Sequence, residues 1–244
     1  MTPLLFFVAL ARAESQVEPL FPSSPPLSID DAETVEKGHW ELNLTAGLAG
    51  EAKEWEAEVP LVDANVGLTD NIHVNAEIPY VVQSGESGME TGLGRGAVAV
   101  KVRLLHKQRV QFAIHPAVEL PPLPKVSVDA SGGPTVTLPV VLDVALGQSG
   151  VGLGIQLARS LTGARREDAW SGCVGLASPV GPGSVLMVDY TQDASAGGVF
   201  QEGWFEVGYV REALFGSEHL TLLSAVGRST MGASRALLGV QFSG

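Results

Sequence analysis

Residues 109–121, RVQFAIHPAVELP, alternate position by position. Val110, Phe112, Ile114, Pro116, Val118 and Leu120 form one row, and Gln111, Ala113, His115, Ala117 and Glu119 form the other. A period of two marks a β-strand whose two faces meet unlike surroundings. From Trp40 onward the same pattern recurs in about twelve segments separated by turn-forming residues. The clearest are Trp40–Ala49, Ile72–Val82, Arg95–Leu105, Arg109–Leu120, Thr135–Leu146, Val151–Leu161, Val199–Arg211 and Arg235–Phe242. Weaker ones are Glu54–Gly67, Trp170–Val180, Ser184–Thr191 and Leu220–Arg228. The alternation changes phase near Pro60, which predicts a β-bulge there.

The links between segments alternate in length. LTDN, HKQ, GQSG, GPGS and FGSEH are short, whereas GEAKE, QSGESGMETGLG, PPLPKVSVDASGG, TGARRED, QDASAGG and STMGAS are mostly longer and more polar. Tight turns at one end and longer loops at the other are the rhythm of an outer-membrane barrel. The expected fold is therefore all-β: a closed, antiparallel, up-and-down transmembrane β-barrel of about 12 strands. Spanning strands need ~9–11 residues, which the segments supply, and closure pairs every backbone group that would otherwise be orphaned in hydrocarbon. Pro116 falls on the lipid-facing row, so its missing N–H must lie at a strand end or a bulge.

Alternation alone does not say which row faces out. A soluble sandwich or a lipocalin-like barrel would place the apolar row inside. Composition tilts the choice toward the membrane. Charged residues are 17% of the chain, against ~25% in ordinary soluble domains. The second row is rich in Gly, Ala, Ser and Thr, and Phe242 gives the last strand a near-terminal aromatic. No apolar run approaches the ~18 residues of a transmembrane helix. Trp40, Trp55, Tyr80, Trp170, Tyr190 and Trp204 lie near strand ends and predict sparse aromatic girdles.

The first 13 residues, MTPLLFFVALARA, read as an export signal cleaved after Ala13. Residues 14–38, rich in Pro, Ser and acid and without periodicity, read as a periplasmic N-terminal segment preceding a barrel of residues 39–244. A net charge of −12 offers no basic stripe for nucleic acid. Cys173 stands alone and reads as a small apolar filler, and no spacing suggests a metal or another cofactor.

The chemistry resides in the polar row. Lys101, Arg103, Gln111, His115, Glu119, Asp143, Asp189, Glu206 and Arg228 are the candidate lumen-lining residues. Buried charges must pair or meet water, so they form either a charged constriction that selects solutes or structural salt bridges that pack a narrow barrel. His115 and Glu119 share a face but are about 13 Å apart along a strand, too far for an acid/base pair. None of the five histidines sits in a nucleophile motif, and GLGRG and GVGLG lack the following helix of a phosphate loop. No catalytic residue is expected, and an enzyme is not the reading.

SIDDAETVEKGHWELNL, VGLTDNIHVNAEIPYV and GLGRGAVAVKVRLL resemble the outer-membrane transporter family labelled as a MetA pathway of phenol degradation. In that family an acidic segment precedes the first strand, a GLTDN turn leads into a strand ending in PY, and a GLGD-like sequence opens the next. The resemblance covers roughly residues 28 to 105. Two features depart from it: Arg95 stands where the family has an acid, and ELPPLPK replaces an LPTG-like tip. It implies an outer-membrane channel or transporter for small, aromatic or hydrophobic molecules. The alternatives are a plugged, non-conducting structural barrel, its modest lumen filled by side chains or by the Pro-rich N-terminal segment, and a soluble secreted β-protein. The expected partners are outer-membrane lipid, a small-molecule solute, and the assembly machinery acting on the C-terminal strand near Phe242.

Overall fold

In the computed structural model, residues 21–22, 24–51, 54–85, 88–121, 133–147, 150–162, 167–195 and 200–244 are described; the signal assigned to residues 1–13 lies outside them. The chain forms one antiparallel sheet of 14 segments that closes on itself. The segments are β1 (Trp40–Gly50), β2 (Trp55–Thr69), β3 (Ile72–Gly85), β4 (Gly88–Leu93), β5 (Gly96–Lys107), β6 (Val110–Ile114), β7 (Ala117–Leu120), β8 (Thr135–Leu146), β9 (Val151–Thr162), β10 (Glu167–Gly181), β11 (Ser184–Ser195), β12 (Phe200–Arg211), β13 (Leu220–Ser229) and β14 (Ser234–Ser243). β4 and β5 are two pieces of one stave, as are β6 and β7, which gives a barrel of 12 staves. β1 and β14 close it, pairing from Glu41↔Ser243 to Gly50↔Ser234.

Each irregularity has a local cause. The phase change at Pro60 is a register shift between Glu58 and Leu61 in the β2–β3 ladder. Pro116 lies in the gap between β6 and β7, so the row that holds it needs no N–H from it. The gap is still bonded: His115 N–H donates to the Pro139 carbonyl (3.1 Å) and Val100 N–H donates to the Pro116 carbonyl (3.0 Å). The QSGESGMETGLG stretch, expected to be a loop, contributes β4, which extends the β3 hairpin from Gly85↔Gly88 to Tyr80↔Leu93. Its Gly and Met residues carry no clear alternation, so pairing alone reveals it.

The burial pattern decides which row faces out. Along β5, Val98, Val100 and Leu104 are exposed while Ala97, Ala99 and Lys101 are buried. Leu138, Leu157, Leu176, Val226 and Leu238 continue the exposed apolar surface on other staves. Such a belt would be costly in water and suits hydrocarbon, so the molecule is a transmembrane barrel with apolar residues outside and polar residues inside. Trp40, Tyr80, Trp170 and Tyr190 are exposed on its surface. Trp204 instead turns inward and stacks under the Arg235 guanidinium, 4.5 Å from its ring centre.

Candidate functional site: a plugged lumen

The segment read as a periplasmic one preceding the barrel is, over its described residues, folded inside the barrel. Phe21, Ile29, Asp31, Ala32, Thr34 and Val35 are buried. Phe21 and Ile29 pack with Cys173, Ala177, Met187, Val210 and Leu223 of the inner wall. The reason is electrostatic as much as hydrophobic. Strand alternation points a set of charged side chains into a narrow lumen, and an acidic segment leads directly into β1.

Among its described residues the segment has no strand or helix to satisfy its backbone, so the wall does so. Ser28 N–H donates to Glu206 (3.0 Å), Ile29 N–H to Asp189 (3.0 Å), Asp30 N–H to Gln156 Oε1 (2.7 Å) and Ala32 N–H to Asp143 (2.8 Å). Val35 N–H donates to His73 Nδ1 at 3.0 Å. In the opposite direction, segment carboxylates meet two cations and a histidine of the wall. Lys101 Nζ reaches Asp30 at 2.8 Å and Asp31 at 3.4 Å, His115 Nδ1 meets Asp30 at 2.7 Å, and Arg103 pairs with Glu33. Gln111 donates to Glu33 at 2.6 Å.

This exchange is stabilising only while complete. Removing one member of a buried ion pair typically costs ~3–5 kcal/mol, because the other is left charged and dry. Burial raises the Asp30 carboxyl, but Lys101 and His115 outweigh it and hold Asp30 well below the usual carboxylate range. Burial pushes Asp31 up to about 6 against the pull of Lys101, with Asp30 and Glu33 adding to the rise.

Glycines on the inner wall make room for the segment. A Cβ on Gly154 would stand 2.6 Å from Ile29 Cδ1 and 2.9 Å from Phe21 Cζ. A Cβ on Gly67 would run into the Glu36 carbonyl oxygen, where the chain leaves the lumen to start β1.

Of the residues expected to line the lumen, Lys101, Gln111, Asp143, Asp189 and Glu206 are buried on the inner face. Arg103 and His115 join them through the segment, and Glu119 pairs higher up with Arg95. Arg228 is the correction. It is paired in register with outward-facing Phe205, is exposed, and donates to Ser234 at 2.8 Å. β13 reads LTLLSAVGRS, apolar on both faces, because Leu223 and Ala225 pack inward; its phase is ambiguous from sequence. Sequence reasoning also missed Gln156, His73 and Arg235, whose inward parity follows from the same alternation, and the wall glycines, which give no such signal.

The segment does not fill the lumen. A cavity of about 250 Å³ lies between it and β1–β3, lined by Asp63, Asn65, His73, Asn75 and Glu77 as well as Lys101 and His115. A second of about 300 Å³, nearer the outer mouth, is lined by Glu56, Glu58, Glu206 and Arg235; Leu27 and Ser28 border both.

No protein-family model matches the chain, and no curated protein matches it. Solved structures do. The COG4313 outer membrane channel from Pseudomonas putida F1 superposes with a TM-score of 0.67 at 14% identity, covering 89% of this chain and 100% of that one. The NanC porin gives 0.58 at 10% identity, covering 82% and 98%. The KdgM porin in complex with disordered oligogalacturonate gives 0.57 at 8%, covering 83% and 98%. At these identities the likeness is one of fold, and the fold is that of outer-membrane β-barrels.

Proposed function

We propose that the protein is an outer-membrane channel for small molecules whose lumen is occupied, and gated, by its own N-terminal segment. The supporting observation is the manner of occupation. Beside the apolar seat of Phe21 and Ile29, segment and wall meet through many hydrogen bonds and ion pairs that border open polar space, and such contacts can exchange for water. A dry apolar plug would have no such alternative. The shared fold with channels and porins supports the same reading. The resemblance over residues 28–105 adds aromatic compounds to the solutes considered, and the exposed Phe242 at the end of β14 is where assembly machinery would engage the last strand. A permanently closed structural barrel is the second reading, favoured by how fully Lys101 and Arg103 are paired.

The test is conductance in a planar bilayer, using protein that shifts in apparent mass on boiling and is therefore folded. Discrete conductance steps that become larger or more frequent in Lys101→Ala support a gated channel. A folded barrel that stays silent in both supports the closed one.

A further inference from the structure

We infer that the space beside the seated segment favours small cations, with the cross-strand pair Asp63 and Glu77 as the residues that set this preference. The inference rests on the channel reading above and names its class of solute.

The two signs of charge inside the barrel are treated differently. Inward cations are matched by acids: Lys101 by Asp30 and Asp31, Arg103 by Glu33, Arg95 by Glu119, and Arg235 by Glu206. Asp63 and Glu77 are not matched in this way. They stand opposite each other in the β2–β3 ladder, both turned toward the 250 Å³ cavity. Among the described residues, no ion pair involves either. Asp63 is instead held by neutral donors: the side-chain amides of Asn43 (2.7 Å), Asn65 (3.2 Å) and Asn75. Amide donors stabilise a carboxylate without cancelling its charge. The arrangement keeps a negative centre in place and leaves its field in the cavity.

A second observation comes from His73, only 5% exposed and lining the same cavity. Val35 N–H donates to its Nδ1, so the proton resides on Nε2, which has no partner among the described residues. That tautomer cannot ligate a metal through Nε2. It offers an N–H donor to an oxygen. The occupant that satisfies both features carries positive charge for the carboxylates and an oxygen for His73: a hydrated alkali cation or a hydroxyl-bearing ammonium. Glu56 and Glu58 extend the acidic lining into the second cavity, toward the outer mouth. In a narrow, low-dielectric passage such a field concentrates counter-ions and repels anions. The oligogalacturonate of the KdgM complex, a polyanion, is the kind of molecule these walls would reject.

The test is the reversal potential of the full chain in a planar bilayer under a potassium chloride gradient, repeated with ethanolammonium chloride and with potassium acetate. Potassium and ethanolammonium should each be preferred over the anion by about tenfold. Asp63→Asn and Glu77→Gln should each reduce this preference, and together bring it to within about twofold of unity. Two single variants guard against one failing to fold, which the gel shift on boiling reports. An anion-selective or unselective full chain overturns the inference and leaves the channel standing. A silent full chain with a conducting variant lacking residues 21–36 does the same. Silence in both removes the channel and the inference together.

Discussion

The two sides of the lumen carry similar residue types and treat them in opposite ways. On the β5–β8 side, Lys101 and Arg103 pair with carboxylates of the N-terminal segment, and Gln111 and Asp143 each hold one hydrogen bond to it. On the β1–β3 side, Asp63, Glu77 and His73 face a cavity. The first side is a lock and the second is a lining. The difference shows that alternation alone places polar groups inside a barrel, whereas function depends on which of them an extra piece of chain neutralises.

The largest effect should come from breaking the lock. Lys101→Ala leaves Asp30 and Asp31 buried without their cation, a cost of ~3–5 kcal/mol to the seated segment. Conductance should rise, and adding Asp30→Asn and Asp31→Asn should return it toward the starting level. If the triple variant conducts as freely as Lys101→Ala, charge pairing is not what holds the segment.

Steric eviction is the next largest. Gly154→Leu pushes into Ile29 and Phe21 while its own stave stays paired, and overpacking of this kind costs ~1–3 kcal/mol. Higher conductance with an unchanged boiling shift is expected; an unfolded barrel would show that the glycine serves the wall instead.

Acidity gives a smaller effect with a defined sign. Seating raises the Asp31 carboxyl to about 6, so the seated state holds that proton more tightly than the released one. This contribution favours seating at low pH and is lost as pH rises from the ordinary carboxylate range through 6. Asp30 is shifted the other way, so its contribution is lost only in stronger acid. Between pH 5 and pH 7 the open fraction should rise, and Asp31→Asn should reduce that rise. The smallest effect is expected at Arg228→Ala, an outward rim position: within ~0.5 kcal/mol in stability and no change in conductance.

The barrel was legible in the sequence because alternation is local. Each of the twelve staves announces itself in its own residues, and the register of Pro116 and the bulge near Pro60 follow from local chemistry. Arg228 was misplaced because β13 is apolar on both faces, one for lipid and one for the segment. For the N-terminal segment the sequence left two positions open, a periplasmic extension and a filling of the lumen. Its composition marked it as acidic and aperiodic, but its seat depends on cations more than sixty residues away in β5. A count of inward cations lacking inward acids nearby on the same staves would have pointed to it.

The measurement that bears most directly on the gated lumen is single-channel conductance of the full chain against a variant lacking residues 21–36, both shown by heat-modifiability to be folded. A severalfold larger and steadier conductance in the shortened protein is the expected result. Equal conductance in the two would mean that the segment does not obstruct the path, and the lock would be structural only.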